Sequence, residues 1–493
     1  MALITTTINN LRTTIIPNGL DIYYTTDIGM EGNWCFDATD TTSVDNTGTA
    51  IVSVNGYRFK RVIDNFINVK WFGVKGDAYP SNSTPTNDTL SIQLAIDALQ
   101  YGIVVVPDLM TSKTCGNLYF PAGYYLVDKL VIKQTGFQNN NGKLNIIGSG
   151  IKSTIFVANS QFVEVNYANE NTISIPIPIK TIFEVNNPYT TFSELGFIGS
   201  YLKPGVYKHR LFEEDTTYLL EGGYESIGID IKPEVAFINL EKLHIRCCHV
   251  GILSTGALLF NINNCHIGGD KGWVPSVTGF DYEYYCDYGI KIDSSMDFAS
   301  NQITISNSFI VWCRVWGISY SGGQLINILN CDFERNGFCL PSDPNPNFPT
   351  TGDENSGAIF IEGMGPSLFN RIINITNSWF EENLGYDLYY GGVSNGGNDS
   401  SNITFNIIGS RFFSEVLGIN KRHYGLYIKT NPNVDENKIV NLIGTYFNVT
   451  KFNNNLSTFQ LDVTEYNEIG SNVHNKQITN PPPPLVNFKH YKL

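Results

Sequence analysis

Apolar and polar positions alternate with period two in short runs along the chain, and the runs recur with the same ending. Phe260 to Cys265, Ile303 to Ser308, Ile326 to Cys331 and Ile373 to Ser378 each read as a strand closed by Asn and then Cys or Ser. Gly409-Ser410 and Gly444-Thr445 replace that pair in two later copies. Three residues past each anchor stands a large apolar residue (Ile267, Ile310, Phe333, Phe380, Phe412, Phe447), which predicts an internal stack. A second short strand precedes the anchored one and is opened by Gly228, Gly251, Gly289, Gly317, Gly357 or Gly425; Asp387 to Tyr390 fills the same slot without glycine. Branched and aromatic residues in alternation, broken by Gly and Asn, signal strands, and the runs are too short for helices. The repeat predicts about seven parallel coils stacked as an all-β solenoid over about 228–450. A β-sandwich also has short alternating strands, but it has no reason to keep one anchor in every unit. Asn at a repeated corner predicts an amide ladder, because Asn tolerates a left-handed backbone and both donates and accepts.

Spacing adds a direction to this pattern. From anchor to next opening glycine the compact coils use nine or ten residues, but 25 follow Asn264, 27 follow Asn330 and 16 follow Gly409. The extra residues are expected to leave from one corner, and insertions on one face of a solenoid often mark its binding face.

The first part of the chain follows another pattern. Residues 1–68 are expected to form a small N-terminal β unit, with Ala50 to Val54, Asn55-Gly56 and Tyr57 to Val62 as a hairpin on a primed turn. A capping helix is expected at about 88–100, with Asp88 as N-cap and Ile92, Ala95, Ile96 and Leu99 as its apolar stripe, covering the open first coil. Leu144 to Gly150 and Phe192 to Phe197 read as earlier, less regular coils, and about 200–226 as a charged excursion. The expected organisation is 1–68, a β-helix at 69–450 and a C-terminal cap or tail at 451–493 that includes Pro481 to Pro484.

Composition narrows the ligand. A net charge of -14 argues against nucleic acid, which is held by clustered Lys and Arg. Asn and Tyr on an acidic surface suit a glycan better. Nine cysteines, with Cys265 and Cys331 where other coils carry Ser, read as small buried thiols. Cys247-Cys248 is not a metal motif, and no metal or cofactor is expected. The first residues show no secretory signal and no run is apolar enough to span a bilayer, so release by lysis is expected.

Three spaced motifs carry a resemblance: Phe72 to Asp77, Asn87-Asp88-Thr89 leading into Ile92 to Asp97, and Tyr119 to Tyr125. In this order they resemble the opening segment of the pectate-lyase-like right-handed β-helix superfamily. Gly48 to Val52 and Gly56 to Arg61 are similar to N-terminal segments of bacteriophage tailspikes and tail-associated depolymerases. The resemblance implies a right-handed parallel β-helix in a homotrimer, attached to the phage tail or baseplate through its N-terminal unit. It implies a virion protein acting extracellularly, which binds and cleaves a bacterial surface polysaccharide. The short C-terminal part departs from tailspikes that carry a sizeable trimerisation domain there.

Glycoside hydrolysis needs two carboxyl groups, about 5–5.5 Å apart for retention and about 6.5–9.5 Å for inversion. Glu334 and Glu381 each lie four residues past an anchor Asn on consecutive coils, so they are expected as neighbours at one corner and as the catalytic pair. Asp332, Arg335, Glu382 and Arg411 surround that corner by offset, and Trp273 and His423 come from insertions; these six are the expected substrate-binding residues. The insertions also hold Asp270, Asp281, Asp353, Glu354 and Glu415. The bland reading makes the glutamates solvated corner residues balanced by Arg335. A lyase would instead need a base at a uronic acid, for which His244 and His266 stand at equivalent offsets. A non-catalytic receptor-binding spike would share the fold.

Overall fold

The structure is a computed structural model. It describes residues 1–101, 116–134, 143–159, 180–199, 226–269, 286–293, 300–337, 356–363, 371–383, 385–393, 401–414, 423–428, 436–449, 459–461, 465–473, 476–478 and 490–491. The chain divides into two compact units, 1–159 with 185–196 and 160–184 with 197–493.

In the first unit, strands Leu3–Thr6, Ile22–Thr25, Gly32–Phe36, Arg58–Arg61 and Ala50–Val52 lie in that order in one sheet. Only the first pair is parallel. The expected hairpin is present but not on a primed turn: Ser53 pairs with Tyr57, and in the three-residue loop between them only Gly56, at φ 81°, is left-handed. Ile8, Leu11, Tyr23, Trp34, Ile51 and Phe59 form the core under the sheet. Arg61, 2% exposed, donates to the carbonyls of Met30, Glu31 and Gly48 and lies between the rings of Trp34 and Trp71, 4.4 and 4.3 Å from their centroids. Its buried charge is met by carbonyl dipoles and ring faces rather than by a close carboxylate.

The helix Thr89–Tyr101 buries Ile92, Ala95, Ile96 and Leu99 as expected. Asp88 departs from its expected role. Its carboxylate is taken by the amides of Lys75 and Gly76, at 2.7 Å each, where Gly76 at φ 62° turns the loop toward it. Two glutamines finish the cap. Gln93 exchanges hydrogen bonds with the backbone of Val131, and Gln100 does so with Lys133, so side-chain amides satisfy the outer edge of the strand Leu130–Ile132.

The second unit carries the regular coils of a right-handed parallel β-helix. Each coil has a strand in one sheet, for example Val250–Ser254, then a second strand such as Leu259–Asn263, a corner, and a short strand such as His266–Gly268. Neighbouring coils pair in parallel at every strand. The corner anchors all take a left-handed backbone: Asn264, Asn307, Asn330 and Asn377 at φ 49–53°, and Gly409, Gly444 and Gly470 at 58–61°. In that conformation the corner N–H donates to the next coil, as from Asn330 to Thr376 at 2.9 Å. Past the corner the expected stack is present. Phe333, Phe380, Phe412 and Phe447 lie face to face, centroids 4.8, 4.4 and 4.3 Å apart and planes within 10°. Cys265 and Cys331 are buried free thiols among Ser hydroxyls that accept from corner amides, as Ser378 does from Cys331.

Three expectations are corrected. The corner asparagines make only short runs, with Asn330 donating to Asn307 at 3.2 Å. The long amide ladder stands in mid-strand instead, where Asn374, Asn406, Asn441 and Asn467 each donate to the Asn one coil back, starting from Asn327. Mid-strand amides hold a fixed register, whereas the corners change to glycine. The insertions do not all leave from one corner: seven residues separate Gly363 from Arg371, Val393 from Ser401 and Ile428 from Glu436, against three between Ser321 and Leu325. The coils also continue past 450, since Phe459–Leu461, Glu465–Ile469, Asn472–Val473 and Lys476–Ile478 keep the pairing. Gly470-Ser471 is another anchor, masked in the sequence because no glycine opens its coil. The excursion at about 200–226 and the run Pro481 to Pro484 lie outside the described residues.

Phe380 has a ring on both sides, so Phe380→Ala is expected to cost about 3–5 kcal/mol, read from the urea midpoint. At Asn330, Gly should be nearly neutral, while Val should cost about 1–2 kcal/mol because of the left-handed backbone. Equal losses for Gly and Val would contradict the corner argument.

Candidate functional site

The short strands past the corners form a strip of their own: His266–Gly268, Phe309–Val311, Asp332–Glu334, Trp379–Glu381, Arg411–Ser414 and Tyr446–Val449. The middle residue of each is buried, so its two neighbours face outward. Register then draws two outward columns. One runs His266, Phe309, Asp332, Trp379, Arg411, Tyr446, and the other runs Val311, Glu334, Glu381, Phe413.

Glu334 and Glu381 are direct register partners, as the spacing predicted. Asp332 completes a carboxyl triangle, one rung and two residues from Glu381. It has Phe309 on one side of it in the column and Trp379 on the other, both exposed, at 52% and 36%. One oxygen of Asp332 is buried with no hydrogen-bond partner among the described residues. Burial first, then the charges of Glu334 and Glu381, push its carboxyl up to about 6. The repulsion expected around the two glutamates is felt at Asp332, whose carboxyl is raised by burial and by both of their charges.

The other predicted residues take distinct places. Trp379 Nε1 donates to Glu381 Oε2 at 2.9 Å. Arg335 donates to Glu382 at 2.5 Å and lies 3.3 Å from Glu334. Its guanidinium stands 5.1 Å from the ring centroid of Trp312, and that of Arg411 stands 5.5 Å from that of Trp379. Trp312, Arg335 and Glu382 share a second left-handed corner, at φ 54°, 55° and 50°. His423 begins the strand His423–Ile428 in the other sheet, away from this strip in register. Trp273, Asp270, Asp281, Asp353, Glu354 and Glu415 lie outside the described residues. His244 and His266 are register partners with rings 4.8 Å apart; His244 is 7% exposed, and His266 Nε2 bonds the Gly269 carbonyl.

Sequence reasoning passed over Phe309, Trp379, Tyr446 and Trp312. The signal was available: the first three stand two residues past an anchor, the same offset as Asp332 and Arg411.

Comparison with known proteins bears on the fold. Residues 4–64 match the family described as phage tail protein small four-stranded beta-sheet domain, and residues 66–216 match rhamnogalacturonase A/epimerase, pectate lyase-like. No curated protein sequence matches the chain. Among solved structures, the enzymatically active domain of tailspike protein 4 from bacteriophage CBA120 is 11% identical with a TM-score of 0.51, over 95% of this chain and 53% of that one. The tailspike protein of Acinetobacter phage vB_ApiP_P1 is 13% identical with a TM-score of 0.50, over 100% and 76%. The enzymatically active domain of CBA120 tailspike protein 2 is 14% identical with a TM-score of 0.48, over 89% and 57%. The chain thus spans a little over half the length of the two CBA120 structures, and identities this low speak to the fold alone. The coils show a parallel β-helix, and its opening segment is similar to the pectate-lyase-like family. Residues 4–64 of the chain are similar to a phage-tail domain.

Asp332 yields a signed test. Its folded pKa lies above the usual carboxylate value, so folding favours its protonated form. That contribution is complete below about pH 4 and is lost as pH rises through about 6. Asp332→Asn should therefore gain melting temperature over the parent chain at pH 8 and lose that advantage at pH 4. An advantage that is the same at both pH values would refute the shift.

Proposed function

We propose that this chain is a phage tailspike that binds a bacterial surface polysaccharide, whether capsule, exopolysaccharide or O-antigen, and cleaves it by glycoside hydrolysis. The observation that carries the proposal is Asp332, a carboxyl that stays protonated toward neutral pH between exposed aromatic rings, one rung from Glu381. A carboxyl raised in this way, with a second carboxyl group within reach, is the arrangement acid catalysis needs. In this reading Asp332 donates a proton to the leaving glycosidic oxygen. Glu381, oriented by Trp379, is the base that draws a proton from water. Glu334 and Arg335 hold the charge balance around them. Rungs lie about 4.8 Å apart and residues about 3.3 Å along a strand, so Asp332 and Glu381 are about 8 Å apart at the backbone, within the inverting range. Phe309 and Trp379 offer ring faces and edges to sugars on either side of Asp332. The phage-tail domain at 4–64 would carry the chain on the virion.

The test uses the full chain with capsule, exopolysaccharide and O-antigen purified from the host bacterium. New reducing ends without ultraviolet absorbance from unsaturated uronates are expected. Absorbance rising with them would replace hydrolysis by elimination, and neither signal would leave a binding spike. Asp332→Asn and Glu381→Gln should each lower kcat/KM by about 10²–10⁴-fold. The parent's kcat/KM should fall above about pH 6 as Asp332 loses its proton.

A further inference from the structure

The second sheet of the coils has an outward aromatic ladder. Phe360, Tyr389 and Tyr427 are register partners on three consecutive coils, with centroids 5.6 and 5.2 Å apart and planes 13° apart in both pairs. One coil earlier the register position holds serine, and the ring stacked on Phe360 comes instead from Trp316 of the same strand. Ser319 is the partner of Phe360, and Ser321 is the partner of Glu362. One coil earlier again stand Lys291 and Asp293, the partners of the same two serines.

Two small residues between larger neighbours leave a cleft of about 670 Å³. Its size falls in the range typical of small-molecule sites. Ser319 and Ser321 alternate with the inward Ile318 and Tyr320, so they face outward, yet each is only 5% exposed because the walls rise around them. Trp316, 3% exposed and stacked on Phe360 at 5.2 Å, closes one side, and Tyr288 stands among the lining residues. Lys291 is already neutralised by Asp293 at 2.9 Å, and Glu362 has no ion-pair partner among the described residues. The polar rim therefore carries about one unbalanced negative charge.

We infer that this cleft is a second carbohydrate site, separate from the carboxyl column of the short strands, and that it holds a neutral pyranose unit. A pyranose offers an apolar C–H face and a rim of hydroxyls. Phe360 is stacked on both sides, by Trp316 and Tyr389, so Tyr288 and the edges of Phe360 and Trp316 meet the face, while the carboxylates of Glu362 and Asp293 and the two serine hydroxyls meet the rim. Asp293 and Glu362 stand two rungs apart, about 9.6 Å at the backbone, which admits one ring between them. The unbalanced charge disfavours uronate or phosphate groups. A chain-binding site beside a cleaving one would keep a long glycan attached between cuts by raising its local concentration.

The experiment is saturation-transfer NMR on the full chain carrying Trp379→Ala, which strips an aromatic ring from the carboxyl column. The probes are the methyl pyranosides of glucose, galactose, N-acetylglucosamine and galacturonic acid. Transfer to ring C–H protons of at least one neutral probe is expected, with less to the uronide. Ser319→Tyr extends the ring ladder into the cleft and should abolish the transfer. Glu362→Gln, a surface change that leaves the packing alone, should reduce it at least threefold, which keeps the inference testable if the tyrosine variant misfolds. Absence of transfer from every neutral probe, or transfer that survives both substitutions, would overturn the inference. None of these readouts depends on depolymerisation, so the site can stand or fall apart from the proposed hydrolysis.

Discussion

The structure depends on the hydrogen bond made at each corner by a residue with a left-handed backbone. Turning the chain there aims its N–H along the stack instead of around the coil, so one coil donates to the next. An L-residue takes that conformation at a cost of about 1–2 kcal/mol, and Asn and Gly take it most readily. Once the corners are in step, every other offset is in step as well. Residues equally far past the anchor lie in one column.

That condition explains the interior and the exterior together. Inside, like residues stack on like: phenyl rings at 4.3–4.8 Å, and Ser, Cys or Thr next to each corner. Stacking identical apolar groups is favourable at any length, so the interior repeats itself. Outside, the same rule places like charges a rung apart, which is unfavourable unless a proton, a partner or a ligand relieves it. Arg335 relieves Glu382 and Glu334, and the burden on Asp332 appears as a carboxyl pushed up to about 6. The corner that secures the fold therefore also creates the electrostatic tension from which acid catalysis is proposed. The cleft in the second sheet follows from the same rule, because a small residue in a column of rings leaves a gap one coil high.

Much of this was legible in residue order. The coils, the inward stack, the helix stripe and the adjacency of Glu334 and Glu381 follow from offsets counted along the chain, because pairing is local between successive coils and the period is kept. Three readings failed where the local rule was silent. Asp88 sits in a good N-cap place, but nothing in the sequence says that loop amides at 75 and 76 compete for its carboxylate. The last coil lacks an opening glycine and was hidden by it. The amide ladder moved from corner to mid-strand because corner Asn gives way to Gly in later coils.

The sequence by itself determined which residues share a column, since an offset from the anchor is a property of the chain alone. Tertiary structure decided how far Asp332 is buried, and with that how far its carboxyl is pushed up. Asp332 differs from Glu334 and Glu381 in the rings of the coils before and after it. Burial is a property of that neighbourhood in space and not of the distance from an anchor.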